Sequence, residues 1–126
     1  MASPRYNQKK GSAFETGLVK GLREMGYDAE RLHLAGAEDE GDLVVRWPDG
    51  KRLVVEAKSG ALHPTQFLKE LSVEVEHYKA HRSLTSGVIG TVVCKQVGKA
   101  DPLGGYCLLP TRDLLALLDG LDPLDL

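Results

Sequence analysis

The segment 41–58, GDLVVRWPDGKRLVVEAK, constrains the fold of this chain more than any other. Two short apolar runs flank Pro48-Asp49-Gly50, a strong turn signal, so the segment is predicted to form a β-hairpin. Proline suits the first turn position, and glycine tolerates the left-handed conformation that closes a short loop. With Trp47 and Lys51 as the closing pair, counting outward pairs Leu43 with Val55 and places Asp42 opposite Glu56.

The two acidic residues at the open end of this hairpin require a physical explanation. Residues that face each other across a hairpin have Cβ atoms roughly 5 Å apart, and like charges there are destabilising. A divalent cation such as Mg²⁺ or Mn²⁺ would cancel the repulsion between Asp42 and Glu56, because it prefers carboxylate oxygens. Lys58 lies on the same face as Glu56, since side chains alternate along a strand. The alternative is that all three are solvated residues on the exposed face of a one-sided sheet.

A third acidic residue, Glu15, lies on the first predicted helix, Ser12 to Met25, which Gly26 ends. The helix has an apolar stripe, and Glu15 falls inside it; the stripe consists of Phe14, Leu18, Leu22 and Met25. Two interpretations remain open. Ser12 and Glu15 have the spacing of a capping box, or Glu15 points across the edge of the core toward the same cation as Asp42 and Glu56.

The remaining patterns predict an alternation of strands and helices. Glu38, Asp39 and Glu40 are predicted to be solvated acids in a flexible loop, and His77 and His81 are predicted to be exposed. Cys94 and Cys107 are predicted to be buried free thiols. Further elements are a strand at Asp28–Leu34, a helix from Pro64 or Thr65 to about His81, a buried parallel strand at Gly87–Cys94, a strand at Tyr106–Leu109, and a last helix, Arg112–Leu118, capped by Thr111, whose leucines cover a sheet edge.

Composition is consistent with one domain spanning residues 1–126. No apolar run reaches the ~20 residues that span a bilayer, and the polar N-terminus does not resemble a signal peptide, so a cytoplasmic protein is expected.

The net charge is −2, but residues 1–100 carry 15 Lys and Arg against 13 Asp and Glu. The acidity is concentrated in a tail, residues 119–126, predicted to be frayed. Residues 1–11 are predicted to be a mobile basic arm, which would track a phosphate backbone or be solvated.

The order of these motifs resembles the PD-(D/E)XK nuclease superfamily, with Gly41-Asp42 in the place of the first motif and Glu56-Ala57-Lys58 as the second. Within that superfamily the chain is most similar to the archaeal-type Holliday junction resolvases, over roughly residues 9–95. The resemblance includes Lys10-Gly11-Ser12, Glu15, Gly26-Tyr27 and Arg31. Two departures are visible: Gly41 replaces a proline, and Ala35-Gly36-Ala37 replaces a serine-bearing loop. Glu74-x-x-x-Tyr78 takes the place of a Gln-x-x-x-Tyr element found near the site in some relatives.

The resemblance implies an α/β fold with a restriction-endonuclease-like αβββαβ core, in which helices flank a mixed central sheet. It implies catalytic roles for Glu15, Asp42, Glu56 and Lys58, of which the three acids would hold Mg²⁺ (or Mn²⁺). DNA contacts are expected from four residues near the N-terminus, of which three give the arm its basic character: Arg5, Lys9, Lys10 and Ser12. The implied protein is a homodimer, prokaryotic or phage-encoded, that cuts four-way junctions or other branched DNA.

Two other functions remain open on the same residues. A related small nuclease would act on flaps, ends or linear DNA. A non-catalytic DNA-binding or assembly protein would use the scaffold without cleavage. A restriction or toxin-like nuclease is disfavoured, because no base-recognition element is evident.

Overall fold

The computed structural model describes residues 4–32 and 38–119, and it describes side chains from residue 13 onward. A short 3-10 turn lies at Pro102–Gly104. The helices are α1 (Pro4–Glu24), α2 (Pro64–His81) and α3 (Thr111–Leu118), and the strands are β1 (Asp28–Arg31), β2 (Leu43–Arg46), β3 (Arg52–Lys58), β4 (Val88–Cys94) and β5 (Tyr106–Leu108).

The strands form one mixed sheet in the order β1-β2-β3-β4-β5. β3 and β4 are parallel, and the other neighbouring pairs are antiparallel. The parallel pair follows from the chain order, because α2 crosses over between β3 and β4. The predicted α/β fold with its mixed central sheet and flanking helices is therefore confirmed.

The hairpin of β2 and β3 has the predicted register. The Trp47 amide donates a hydrogen bond to the Lys51 carbonyl at 3.0 Å. Leu43 pairs with Val55, and each residue between them and the turn has its predicted partner. Gly50 closes the turn with a φ of 96°, which a residue with a side chain rarely adopts. The turn chemistry fixes the register, because a slip of one residue would turn every buried valine toward the other face.

The two faces of the sheet pack against different helices. The face toward α1 includes Val45 and Val55, which pack with Phe14 and Leu18. The opposite face includes Val54 of β3, which packs with Tyr78 of α2. Because side chains alternate along β3, Glu56 and Lys58 project on the side of α2.

Gly90 sets how closely α2 lies on the sheet. A Cβ atom at this position would lie 2.6 Å from a methyl group of Val75 and 2.9 Å from one of Leu71. Both residues belong to the inward face of α2. The absent side chain therefore lets α2 pack directly on the backbone of β4.

The structure differs from prediction at the N-terminal helix. α1 begins at Pro4, eight residues before the predicted start at Ser12. Residues 4–11 are therefore helical, although the sequence predicts an arm without regular structure there. Gly11 lowers helix propensity and the preceding residues are polar, so no periodicity marks this first part. Met25 lies beyond the helix and is 64% exposed, so its predicted place in the apolar stripe is wrong.

Further corrections concern the C-terminal third. Cys94 is buried and free as predicted, but Cys107 is exposed because it lies in the short strand β5. The leucines of α3 were predicted to cover the sheet edge, but Leu114, Leu115 and Leu118 are exposed and only Leu117 is half-buried. β1 ends at Arg31, and the predicted continuation to Leu34 enters residues 33–37, which lie outside the described residues. Of the predicted acidic tail, residues 120–126 also lie outside them.

Candidate active site

Asp42 lies at the open end of the hairpin, where two strands hold it in place. Its amide donates to the carbonyl of Val55 at 2.9 Å, and its carboxylate oxygen Oδ2 accepts the amide of Ala57 at 2.7 Å. Gly41, with a φ of 99°, turns the chain immediately before it. Asp42 is thereby fixed beside Glu56, as the register predicts.

Three carboxyl groups meet at this point. The charge of Glu56 acts on Asp42 and the charge of Glu74 acts on Glu56, so the three groups lie close together. Glu56 is only 8% exposed. Among the buried side-chain oxygens of the described residues, Oε2 of Glu56 and Oε2 of Glu74 have no hydrogen-bond partner. Buried oxygens without partners are costly, so this cluster is incomplete by itself.

The proximity of the acids changes their proton affinity. Burial, followed by the charges of Glu56 and Glu15, raises the pKa of Asp42 to about 8, although the Ala57 amide acts against the rise. Burial, followed by the hydrogen bond and charge of Glu74, raises the pKa of Glu56 to about 8. Burial also raises the pKa of Glu74. Removal of water and mutual repulsion thus both disfavour the fully ionised cluster.

Lys58 lies beside the acids on the same face of β3. Its ammonium is 3.0 Å from Oε2 of Glu70 and 3.7 Å from Oε1 of Glu56. It also lies over the ring of Phe67, 4.9 Å from the centroid. Burial would lower the pKa of Lys58, but the hydrogen bond with Glu70 and the charge of Glu56 raise it. The ammonium therefore stays protonated at neutral pH.

Glu15 lies near the cluster but has another partner. Its Oε2 is 2.6 Å from the guanidinium of Arg31 on β1. Its charge nevertheless reaches Asp42 and contributes to the raised pKa there. The capping-box interpretation is wrong, because Ser12 is in the interior of α1 and not at its start.

Residues 38–40, which precede Asp42, have more side-chain partners than the sequence suggests. Glu40 is 7% exposed and pairs with Arg82 and His81, so the prediction of a solvated acid is wrong for this residue. His81 also binds Glu38 at 2.8 Å. These contacts could not be predicted from the sequence, because the acids and their basic partners are about 40 residues apart. Only the packing of α2 on the sheet brings them together.

The four predicted DNA-contacting residues, Arg5, Lys9, Lys10 and Ser12, all lie on α1. Their side chains are outside the described part of the chain, so their contacts remain a prediction. Glu70 was not among the predicted site residues, and Glu74 was noted only as the counterpart of a Gln-x-x-x-Tyr element near the site. Their spacing of one helical turn, on the helix that follows the Glu-x-Lys motif, is the signal that would have found them.

The donor set suits a hard divalent cation. Carboxylate oxygens are its preferred ligands, and the two oxygens without partners are available to it. In the present side-chain conformations, no three His, Cys, Asp or Glu residues in the described ranges enclose a metal position. An ion held by Asp42, Glu56 and Glu74 together would therefore require these side chains to rearrange.

The fold has a counterpart among solved structures. The chain is similar to Archaeoglobus fulgidus Hjc, a Holliday junction resolvase from an archaeal hyperthermophile, with a TM-score of 0.52 and 20% sequence identity. The similarity covers 79% of this chain and 72% of the resolvase chain. The two proteins share a fold. At this identity the comparison extends no further than the architecture.

Sequence comparisons add no family assignment. No protein-family model matches the chain, and no curated protein matches it. Within the described ranges, no helix has both the length and the apolar character needed to cross a membrane.

Proposed function

We propose that this chain is a metal-dependent endonuclease that hydrolyses phosphodiesters of branched DNA, with the four-way junction as its preferred substrate. The observation that carries the proposal is the acid cluster of Asp42, Glu56 and Glu74 beside the ammonium of Lys58, in which Glu56 is buried and the other two acids are half-buried. A cluster of three neighbouring acids is costly for a purely structural role, because burial and like charge both disfavour its ionisation. A cation and a phosphate would supply the charges that the cluster lacks.

Asp42 and Glu56 are the proposed ligands of Mg²⁺ or Mn²⁺, with Glu74 as a third and Glu15 as a further one. The two oxygens without partners support this assignment, because both belong to the proposed ligands Glu56 and Glu74. When bound, the cation would lower the pKa of a coordinated water and neutralise charge that develops on the phosphate.

Lys58 is proposed to hold the scissile phosphate. Its raised pKa excludes a role as a general base near neutral pH, since the ammonium has no free electron pair. It can donate hydrogen bonds to a phosphate oxygen or to the attacking water. Glu70 orients the side chain, because its carboxylate lies 3.0 Å from the ammonium. The donor is therefore positioned before substrate arrives.

The substrate class rests on the resemblance of the motifs and on the shared fold. Hjc is described as a Holliday junction resolvase. We propose the same substrate class for this chain and a homodimer that presents two sites to paired strands.

Cleavage of a labelled four-way junction tests the proposal against its alternatives. The same assay would include linear duplex, flapped and single-stranded DNA of matched sequence, each with Mg²⁺, with Mn²⁺ and with EDTA. Junction cleavage that requires the cation is expected. Preference for flaps or ends would indicate the related nuclease instead. Tight junction binding without any nicks would indicate a DNA-binding protein, and full cleavage in EDTA would contradict the metal.

A further inference from the structure

Residues 38–40, which precede Asp42, are tied to the C-terminal end of α2 by an ionic cluster in which Glu40 is buried. Glu40 precedes Asp42 by two residues, and its carboxylate is 7% exposed. Both oxygens of this carboxylate face the guanidinium of Arg82, one of them at 3.4 Å. His81 adds a third contact, with Nδ1 2.7 Å from Oε2 of Glu40.

Arg82 is itself fixed by α2. Its guanidinium lies 3.7 Å from the ring centroid of Tyr78, and it donates to the carbonyl of Tyr78 at 3.3 Å. Tyr78 is 1% exposed and packs on Val44 and Val54. These contacts orient the guanidinium, which remains partly exposed to solvent.

The neighbouring residues of the loop are tied to the same helix. Nδ1 of His77 lies 2.9 Å from the carbonyl of Asp39, and Nε2 of His81 lies 2.8 Å from Oε2 of Glu38. Between Glu40 and Asp42 only Gly41 intervenes. A Cβ atom on Gly41 would lie 3.3 Å from Oε2 of Glu74, so the loop, α2 and the acid cluster are in direct contact.

We propose that Glu40 and Arg82 are positioning residues that set the place of the Asp42 carboxylate relative to Glu56 and Glu74. One helix then determines both sides of the site, because α2 carries Glu74 and also anchors the loop that ends in Asp42. This inference rests on the proposed function for its catalytic meaning, but the positioning itself can be measured without metal or DNA.

The amide of Ala57 is the direct probe, because it donates to Oδ2 of Asp42. Hydrogen exchange of this amide in the metal-free chain would be compared in wild type, Arg82→Gln, Glu40→Gln and Arg82→Lys. Arg46→Gln is the matched control, since it removes an arginine paired with Asp28 and Glu30 on β1. Amides in the β3–β4 pairing report global opening.

In Arg82→Gln and Glu40→Gln, exchange at Ala57 should accelerate about tenfold or more relative to the β3–β4 amides, since the loop loses its anchor. Arg82→Lys should restore part of the protection, and Arg46→Gln should leave it unchanged. Unchanged exchange at Ala57 in folded Arg82→Gln would overturn the proposal. Equal acceleration at all amides would also overturn it, because the role would then be structural. If Arg82→Gln does not fold, exchange at Ala57 in the nearly isosteric Glu40→Gln decides whether the proposal holds.

Mn²⁺ titration by calorimetry separates this inference from the proposed function. In Arg82→Gln and Glu40→Gln, the affinity for Mn²⁺ should fall on the order of 10-fold, as for other residues that orient metal ligands. If wild type binds no Mn²⁺ while Ala57 responds as expected, the positioning stands and the proposed function fails. If Arg82→Gln and Glu40→Gln both retain the wild-type affinity for Mn²⁺, the result would contradict the positioning of a metal ligand.

Discussion

The amide of Ala57 donates a hydrogen bond of 2.7 Å to the carboxylate of Asp42, across the two strands of the hairpin. Ala57 is the residue between Glu56 and Lys58, so this bond links the first acidic motif to the second. It occupies one oxygen of Asp42 and orients the side chain toward Glu56. The assignments of Asp42, Glu56 and Lys58 therefore depend on one strand register.

Asp42→Asn and Lys58→Gln should both reduce cleavage strongly but for different reasons. Asp42→Asn removes a proposed ligand, so Mn²⁺ affinity and junction cleavage should fall together. Lys58→Gln should reduce cleavage on the order of 10²- to 10³-fold, as for other lost transition-state donors. Its Mn²⁺ affinity should be retained or increase, because a positive charge 3.7 Å from Glu56 is removed. Calorimetry and single-turnover cleavage measure the two effects separately, and a loss of Mn²⁺ binding in Lys58→Gln would refute the division of roles.

The stability of the metal-free chain should fall as pH rises from about 4.5 to about 8. The pKa of Glu56 is raised from 4.5 to about 8, so the folded chain holds more protons than the unfolded chain in this window. Unfolding free energy therefore decreases with pH across it. Glu56→Gln keeps the shape but cannot ionise, and at pH 8 it should be more stable than wild type by about 1–4 kcal/mol.

Denaturant unfolding in EDTA at several pH values measures this difference. Glu76→Gln is the control, since Glu76 is exposed on α2. His81, whose pKa is raised by Glu38 and Glu40, adds a loss of stability at rising pH in both proteins, and the comparison cancels it. Mn²⁺ should stabilise wild type more than Glu56→Gln. A wild-type curve that rises between these pH values would rule out the protonated cluster.

Glu15 and Arg31 should have opposite effects on metal binding. Arg31 holds the Glu15 carboxylate at 2.6 Å and competes with any cation for it. The pair is partly exposed, so breaking it costs about 0.2–1 kcal/mol. Arg31→Gln should therefore strengthen Mn²⁺ binding by up to about fivefold, whereas Glu15→Gln should weaken it. Equal Mn²⁺ affinity in both variants would show that Glu15 is only the partner of Arg31.

The basic residues at the start of α1 should govern the salt dependence of DNA binding. If Arg5, Lys9 and Lys10 each neutralise a phosphate, changing all three to glutamine should reduce the slope of log affinity against log salt by about 2.7, because each contact contributes roughly 0.9. Fluorescence anisotropy with a four-way junction in EDTA measures the slope. Lys51→Gln, at the hairpin turn away from the acids, should not change it. An unaltered slope in the triple variant would remove these residues from the DNA interface.

Local chemistry made much of the fold predictable. The turn at Pro48–Gly50 fixed the register of the hairpin, and the apolar run of β4 indicated a buried strand after a helical crossover. The adjacency of Asp42 and Glu56 followed directly from that register. These features depend on residues close in sequence, where turn geometry and alternation leave few options.

The features that were missed depend on contacts between distant segments. The burial of Glu40 requires Arg82, which is 42 residues away in the sequence. The place of Glu74 in the acid cluster depends on the rotation of α2 about its axis, which its apolar stripe indicates only coarsely. The early start of α1 is a local failure, since Gly11 and the polar residues before it resemble a disordered arm.

Gly90 has a consequence for the size of the site. Leu71 and Val75 rest on its bare backbone, and each directly follows one of the acids, Glu70 and Glu74, in the sequence. An alanine at position 90 would lift that turn of the helix and carry both acids away from the hairpin. The absence of a side chain at Gly90 of β4 thus sets the distance between the acids of α2 and those of the hairpin.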